Sequence, residues 1–299
     1  MRILITGASS FIGQHLITSI LNSGLSLVGT YRNRNEFINA LESRLDAPEL
    51  VQIDICDYNF FKKLNGRFDA IIHIAAVSDY KMATYDTLIQ TNILGTSNLL
   101  KYALSKGISR IIYTSSMSVY GEISTDIIDS NTKIFNPDIY GISKYMGERL
   151  LASAVSDISS VSLRLPGVIG RGALRSFIPI VCQKLISDQS VAIFNEKAFF
   201  NNVVHINDLC SFISQIIGNL SWNGFHAFPI GGDEAVQLHE LIAEMKNLLG
   251  SSSDIIKIDL NKQSFIIDSK YASTNFGYNP RSTLNSISQY CLDIKKFSN

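Results

Sequence analysis

Two residues four apart, Tyr140 and Lys144 in Tyr140-Gly141-Ile142-Ser143-Lys144, have the types and spacing for proton chemistry. On a helix they share one face, one above the other. A free tyrosine ionises near pH ~10 and exchanges protons poorly at neutrality. A lysine ammonium one turn away favours the phenolate. Upstream, Tyr113-Thr114-Ser115-Ser116-Met117-Ser118-Val119-Tyr120-Gly121 turns a β-branched run, Ile108 to Tyr113, into a loop of hydroxyls. A serine from such a strand end can share a hydrogen bond with a substrate oxygen. Together the three groups can pass a proton to or from a carbinol or carbonyl oxygen. The set fits hydride transfer when a nicotinamide cofactor sits beside it. A Tyr/Lys pair at helical spacing is also a common accident, so its weight depends on the rest of the chain.

The elements that would position these groups read as an alternation of strands and helices. Residues 2 to 6 form a short apolar strand, followed by Gly7-Ala8-Ser9-Ser10-Phe11-Ile12-Gly13 and a helical pattern to about Asn22. A strand, a glycine turn and a helix in this order make a dinucleotide-binding turn, with backbone N–H groups and the positive helix end facing a pyrophosphate. The middle position carries Ser10 instead of glycine, which keeps the backbone further from a phosphate but offers a hydroxyl. The alternative is an ordinary strand–helix turn.

A second strand spans Leu25 to Tyr31, and after it comes Arg32-Asn33-Arg34 with no acid before Glu36. NAD sites place an acid there for the ribose hydroxyls, whereas an arginine suits a 2′-phosphate. Arg32 therefore leans toward NADP, against the reading of a solvated arginine after a strand. Val51-Gln52-Ile53 reads as a third strand; Asp54 beyond it either accepts from an adenine amino group or caps the next turn. Residues 69 to 77 read as a central parallel strand, with small Ala75 and Ala76 at its end and His73 as a satisfied core residue.

Asp86 to Lys106 reads as one long helix with a buried stripe of Ile89, Ile93, Leu100 and Leu104, and with Asn92 bonded to nearby backbone. The segment from Tyr140 to about Asp157 is another helix, and Val161 to Leu165 a sixth strand. The alternation argues for a doubly wound parallel sheet. Beyond Leu165 it fades: helices are expected at 177–187, 209–217, 238–249 and 284–295, and an extended stretch at 199–205. The division expected is a dinucleotide-binding domain over 1–165 and a smaller substrate lobe over 166–299, whose chain can cross back to the sheet.

Composition narrows the classes. The 299 residues are 46% hydrophobic and 17% charged, which fits a compact fold and excludes disorder. A net charge of zero argues against a nucleic-acid or acidic-membrane partner. No run of ~18 apolar residues offers a membrane span, and Ile3-Leu4-Ile5 stops too soon for a signal peptide. Cys56, Cys182, Cys210 and Cys291 lack metal-binding spacing and read as free thiols of a cytoplasmic protein, with no metal expected.

As a set, these motifs resemble the extended short-chain dehydrogenase/reductases, in particular the nucleotide-sugar epimerase/dehydratase group. The likeness runs from Thr6-Gly7…Phe11-Ile12-Gly13 through His73-Ile74-Ala75-Ala76, Asn92-Ile93-Leu94-Gly95-Thr96 and Ser115-Ser116…Val119-Tyr120-Gly121. It continues with Tyr140…Lys144 and Arg164-Leu165-Pro166 to Phe276-Gly277-Tyr278-Asn279-Pro280. The resemblance implies a Rossmann-like fold, Tyr140 as proton donor and acceptor, Lys144 on the nicotinamide ribose, and Ser116 on the reacting oxygen. It implies cofactor contacts from Phe11, Ile12, Asp54, Ile55 and Ala75; together with Gly7, Ser10, Gly13 and Arg32 of the residues read above, and Pro166, these are the contacts expected to NAD or NADP. It also implies a homodimer packed through residues 86–106 and 138–157, and a place in cytoplasmic polysaccharide biosynthesis.

Departures from the family pattern shape the functional expectation. Met117-Ser118 stands where dehydratases carry Asp-Glu, so 4,6-dehydration is not expected. Asn201 stands where many members place an arginine on the substrate diphosphate, in the segment ending at His205. Arg171 and Arg175 either take over that phosphate or begin a solvated helix. The substrate contacts expected are Ser116, Arg171, Arg175 and Asn201. The leading reading is an epimerase or oxidoreductase acting at a ring position, C4, of a nucleotide sugar. The alternatives are an NADPH-dependent ketoreductase of a nucleotide-linked 4-keto sugar or other ketone, and an inactive NADP-sensing module.

Overall fold

The computed structural model describes residues 1–21, 23–78, 84–258 and 263–298. The chain forms two compact units, the first from Met1–Glu122, Ile134–Arg164 and Ile213–Ala227, the second from Ile123–Lys133, Leu165–Phe212 and Phe228–Asn299.

The first unit opens with β1 (Arg2–Thr6), α1 (Phe11–Ile20), β2 (Ser26–Tyr31), α2 (Glu36–Glu42) and β3 (Glu49–Gln52). It continues with β4 (Ala70–His73), α3 (Gly95–Lys106), β5 (Arg110–Ser116), α4 (Ile139–Ser153) and β6 (Ser159–Leu165). A late strand, β7 (Phe225–Pro229), completes a seven-stranded sheet in the order β7-β6-β5-β4-β1-β2-β3. The central pairs β1–β2, β1–β4, β2–β3 and β4–β5 are parallel. This is the doubly wound arrangement that the alternation predicts, with the order reversing beside β1. Leu4, Val28 and Ile71 of the strands pack with Leu99, Tyr102 and Leu151 of the helices in one core. The helix expected to run to about Asn22 ends at Ile20, and Asn22 lies outside the described residues.

Two elements differ from expectation. β4 stops at His73 instead of residue 77. Past that point the backbone is bonded by side chains: Ile74 N and Ala75 N donate to Thr6 Oγ1, both at 3.2 Å. Asn92 brackets Val77, accepting from its N–H at 2.8 Å and donating to its carbonyl at 3.1 Å. These bonds bend the chain off the sheet.

The long helix is also interrupted. A short helix at Tyr85–Leu88 passes through a π-type turn at Ile89–Leu94 into α3. A π turn adds one residue to the helical circuit and rotates the helix beyond it. Ile89 and Leu104, expected in the buried stripe, are both 44% exposed. Asn92, Thr96 and Asn98 are buried instead, because each has partners; Asn98 donates to the carbonyls of Ile55 and Cys56 at 3.0 Å.

In the second unit, helices at Phe177–Ile186, Leu238–Leu249 and Thr283–Ser298 fall within a few residues of expectation, as does Ile206–Gly218, whose end belongs to the first unit. The extended stretch is two short strands. Phe199–Phe200 pairs with Val236–Gln237, and Val203–His205 with Gly167–Ile169. Val191–Phe194 paired with Ile255–Ile258, and the helix Lys270–Phe276, are not signalled by the sequence pattern. Tyr278, after that helix, is buried, donates to the Gly231 carbonyl at 2.9 Å and packs on Phe212 at 4.7 Å.

Candidate active site

The switch point of the sheet carries a cleft with about 610 Å³ of open space. Its lining includes Gly7, Ser9 and Ser10 from the first turn, Thr30 to Asn33 after β2, Ile53 to Ile55 after β3, and Ala75 to Val77 after β4. Gly7 takes φ +78°, and a Cβ there would stand 2.8 Å from Ala75 N, so only glycine lets the two turns close together. Ser10 caps α1 by accepting from Gly13 N at 3.1 Å, which leaves its own proton free to donate. Gly7, Ser10, Arg32, Asp54, Ile55 and Ala75 therefore meet in one cleft, as expected of cofactor contacts. Phe11, Ile12 and Gly13 form the first turn of α1 beside it, and Pro166 belongs to the second unit.

The two arginines after β2 have different fates. Arg34 is tied down: it pairs with Glu42, donates to Tyr31 Oη at 2.9 Å, and stacks over the Tyr31 ring. Arg32 is exposed at the cleft, and its guanidinium makes no hydrogen bond or ion pair among the described residues. Asp54 caps the next turn, its Oδ1 accepting from Cys56 N at 3.0 Å, and the residue also lines the cleft.

α4 begins at Asp138, whose carboxylate accepts from Gly141 N at 2.7 Å. Tyr140, Lys144 and Glu148 succeed one another at intervals of four on one face. Tyr140 is half-buried, while Lys144 and Glu148 are fully buried. Burial pulls the Lys144 ammonium down to about 7, opposed by the Glu148 carboxylate. Its Nζ lies 4.2 Å above the Tyr113 ring centre. Glu148 accepts from Ser115 Oγ at 2.6 Å and takes Arg164 in a two-point pair, Nε at 3.0 Å and Nη2 at 2.8 Å. Arg164 also stacks on Tyr120. The Glu148 bonds tie α4 to β5 and β6 within three helical turns of Tyr140.

Ser116 ends β5 and caps a single 3₁₀ turn, Met117–Tyr120. Its Oγ accepts from Ser118 N at 3.1 Å and donates to Ser118 Oγ at 3.2 Å. Asn92 donates to Ser143 Oγ at 2.9 Å, and Ser143 donates to the Tyr140 carbonyl at 2.7 Å. This holds the first turn of α4 against the π turn. His73 is a core residue: Nδ1 meets Thr6 Oγ1 at 2.7 Å and Nε2 meets Thr96 Oγ1 at 3.0 Å. Burial, helped by the Lys144 charge, pushes it down to about 3, so it stays neutral.

The second unit corrects one substrate expectation. Asn201 is buried and its amide is spent on backbone: it donates to the carbonyls of Gly232 (3.2 Å) and Ile267 (2.8 Å) and accepts from Ile267 N (2.8 Å). Every hydrogen-bonding direction it has is used except one lone pair, so its amide serves as a clamp on the backbone and not as the free side chain expected of a substrate ligand. Arg171 and Arg175 are exposed, ahead of the helix at Phe177–Ile186. A pocket with about 420 Å³ of open space is lined by Phe194, Phe199, Phe200 and Phe265 together with Asn202 and Ser264. Sequence reasoning missed this aromatic pocket, and also Tyr113 and Glu148. Glu148 was within reach, since it continues the four-residue spacing of Tyr140 and Lys144. Among the described residues no His, Cys, Asp and Glu cluster could hold a metal, and no helix is long and apolar enough to cross a membrane. None of the four cysteines forms a disulfide.

A model of the NAD dependent epimerase/dehydratase family matches residues 3–231. The chain is 27% identical over 268 residues to a putative UDP-glucose 4-epimerase of Methanocaldococcus jannaschii, spanning 85% of this chain and 84% of that one. It is 25% identical over 302 residues to a dTDP-glucose 4,6-dehydratase of Actinoplanes sp., spanning 94% and 93%. Its fold superposes on that of a UDP-glucuronic acid 4-epimerase from Bacillus cereus, solved in complex with NAD. The TM-score is 0.83 at 23% identity over all of both chains.

Proposed function

Because the chain belongs to the NAD-dependent epimerase/dehydratase family of nucleotide-sugar enzymes, we propose that it acts at C4 of a nucleotide-linked sugar, oxidising and re-reducing that carbon. The observation that carries this reading is the stack on α4: Tyr140 above a buried Lys144, bolted in place by Glu148 and Arg164. Tyr140 takes the proton from the C4 hydroxyl and returns it, and the Lys144 charge favours the phenolate while it works. Ser116 bonds the same oxygen and keeps it in line with Tyr140. A bound nicotinamide dinucleotide supplies the hydride acceptor and donor. The glycine turn, the N-terminus of α1, Asp54 and the small Ala75 fit such a cofactor in the first unit. Within the second unit, the phenylalanine pocket has the lining to stack a planar base, and the exposed Arg171 and Arg175 carry charge of the sign that phosphates require.

Dehydration across C5 and C6 needs an acid and a base. Met117 transfers no protons and Ser118 has no suitable pKa, so the reaction ends at C4. The second reading is an NADPH-dependent 4-ketoreductase, and Arg32 favours it, since a 2′-phosphate meets an available guanidinium there. We further propose a homodimer. Ile89, Leu94 and Leu104 of the interrupted helix and Ile142 and Met146 of α4 are exposed apolar side chains on the two helices such a dimer would pack. Free thiols suit a cytoplasmic setting.

The test is incubation with UDP- and dTDP-hexoses, with NAD or NADPH, and then NMR of the products. A C4 epimer formed without net cofactor consumption is expected. One NADPH oxidised per 4-keto sugar would favour the reductase, and a 4-keto-6-deoxy product would overturn the assignment to C4 alone.

A further inference from the structure

Tyr113 sits within β5 with 1% of its surface exposed. Its ring lies beneath the Lys144 ammonium, 4.2 Å from the centroid, and leans on His73 at 5.4 Å. The phenol fits only because residue 147 is glycine: a Cβ there would stand 2.4 Å from Tyr113 Oη and 2.7 Å from Cζ. The charged and titratable groups facing Lys144 are few. Tyr140 and Glu148 share its helix, Tyr113 faces it from β5, and on β4 lies His73, itself kept neutral by burial and by the Lys144 charge. Arg164 of β6 reaches it only through Glu148, whose carboxylate is already divided between that guanidinium and Ser115. The direct face offered to the ammonium in this dry site is therefore the π-cloud of Tyr113. Such a contact strengthens as water is removed.

We propose that Tyr113 is a positioning residue for the reaction: its ring face holds the Lys144 ammonium charged and seated beneath the tyrosine it serves. The proposal rests on the reading that Tyr140 and Lys144 carry proton transfer. Loss of the π-cloud lets Lys144 shed its proton at lower pH, and Tyr140 then loses the charge that favours its phenolate. The window of pH over which the enzyme works narrows from the alkaline side.

The experiment replaces Tyr113 by phenylalanine and then by mono-, di- and trifluorinated phenylalanines, which keep the ring's shape while draining its negative face. The readout is the pH profile of kcat/KM for whichever UDP- or dTDP-hexose turns over, with cofactor Kd and melting temperature measured alongside. Tyr113→Phe should keep its alkaline limb near that of the parent. Successive fluorination should move the limb down by up to about one pH unit, in step with the number of fluorines and with Tm unchanged. The mono- and difluorinated members differ little from phenylalanine in size, so the trend survives if the heaviest fails to fold. A limb that stays fixed across the folded members would reduce Tyr113 to packing and overturn the proposal. Tyr140→Phe separates the two readings. If it turns over normally, the proton-transfer assignment itself falls. If it is inactive while the fluorinated series is flat, only the role of Tyr113 falls.

Discussion

Replacing Lys144 by methionine should make the cofactor-free protein more stable, and by an amount that depends on pH in a defined way. Lys144 falls from the ordinary 10.5 to about 7 because burial penalises its charge, with Glu148 opposing. The gap is about three and a half pH units, each worth about 1.4 kcal/mol, or about 5 kcal/mol in all. Below pH 7 both folded and unfolded chains carry the proton, and the folded chain bears the full cost of burying it. Between 7 and 10.5 the unfolded chain keeps a proton that the folded chain has released, so parent stability climbs as pH rises. Methionine has similar length and no charge, so the variant lacks this climb. Any packing difference shifts its curve by a constant. Urea unfolding of both proteins at pH 6, 8 and 9.5 isolates the effect. The variant's advantage over the parent should shrink by about 3 to 4 kcal/mol from the lowest pH to the highest. Parallel curves would mean that Lys144 titrates at its ordinary value, and the argument for a strained, desolvated ammonium would fail.

Three further outcomes are expected. Tyr140→Phe removes the proton-transfer group but little volume, so turnover should fall by about 10² to 10⁴ while cofactor Kd, by fluorescence titration, stays within about twofold. Arg32→Asp should weaken NADPH binding about tenfold or more and leave NADH nearly unchanged; equal losses for both cofactors would refute a 2′-phosphate contact. Asn201→Ala leaves backbone groups of Gly232 and Ile267 without partners and should lower unfolding free energy by about 2 to 4 kcal/mol. A stable variant with a raised KM alone would restore Asn201 as a substrate ligand.

The sequence made the first half of the fold legible because its local and global signals agree. β1 centres on an apolar run, Ile3 to Ile5, and is followed by a glycine that must adopt positive φ, and Ser10 is both a helix cap and a turn residue. α4 announces itself through Asp138 at its N-cap and Tyr140 and Lys144 on one face. The second half was less legible because its strands are two to four residues long. Phe199–Phe200 or Val191–Phe194 cannot show a period at that length, and they exist only through partners 36 or more positions away.

The long helix shows why a correct element can carry a wrong face. Its apolar positions, Ile89, Ile93, Leu100 and Leu104, suit one buried stripe only if the helix keeps 3.6 residues per turn throughout. The π turn at Ile89–Leu94 breaks that phase, and its cause lies outside the helix. Asn92 must face inward to bracket Val77 and reach Ser143, and Asn98 must face inward to hold the carbonyls after β3. A hydropathy pattern ranks both asparagines as surface residues. Burying an asparagine whose bonds are all made costs little, whereas leaving the Val77 backbone unpaired beside the cleft would cost about 1 to 3 kcal/mol per group. The polar side of the helix is thus turned toward the site, and Ile89 and Leu104 are turned out. The displaced apolar residues lie where a second copy of the chain is proposed to bind, so one added residue in the helical circuit serves both the ordering of the active-site loop and the proposed dimer face.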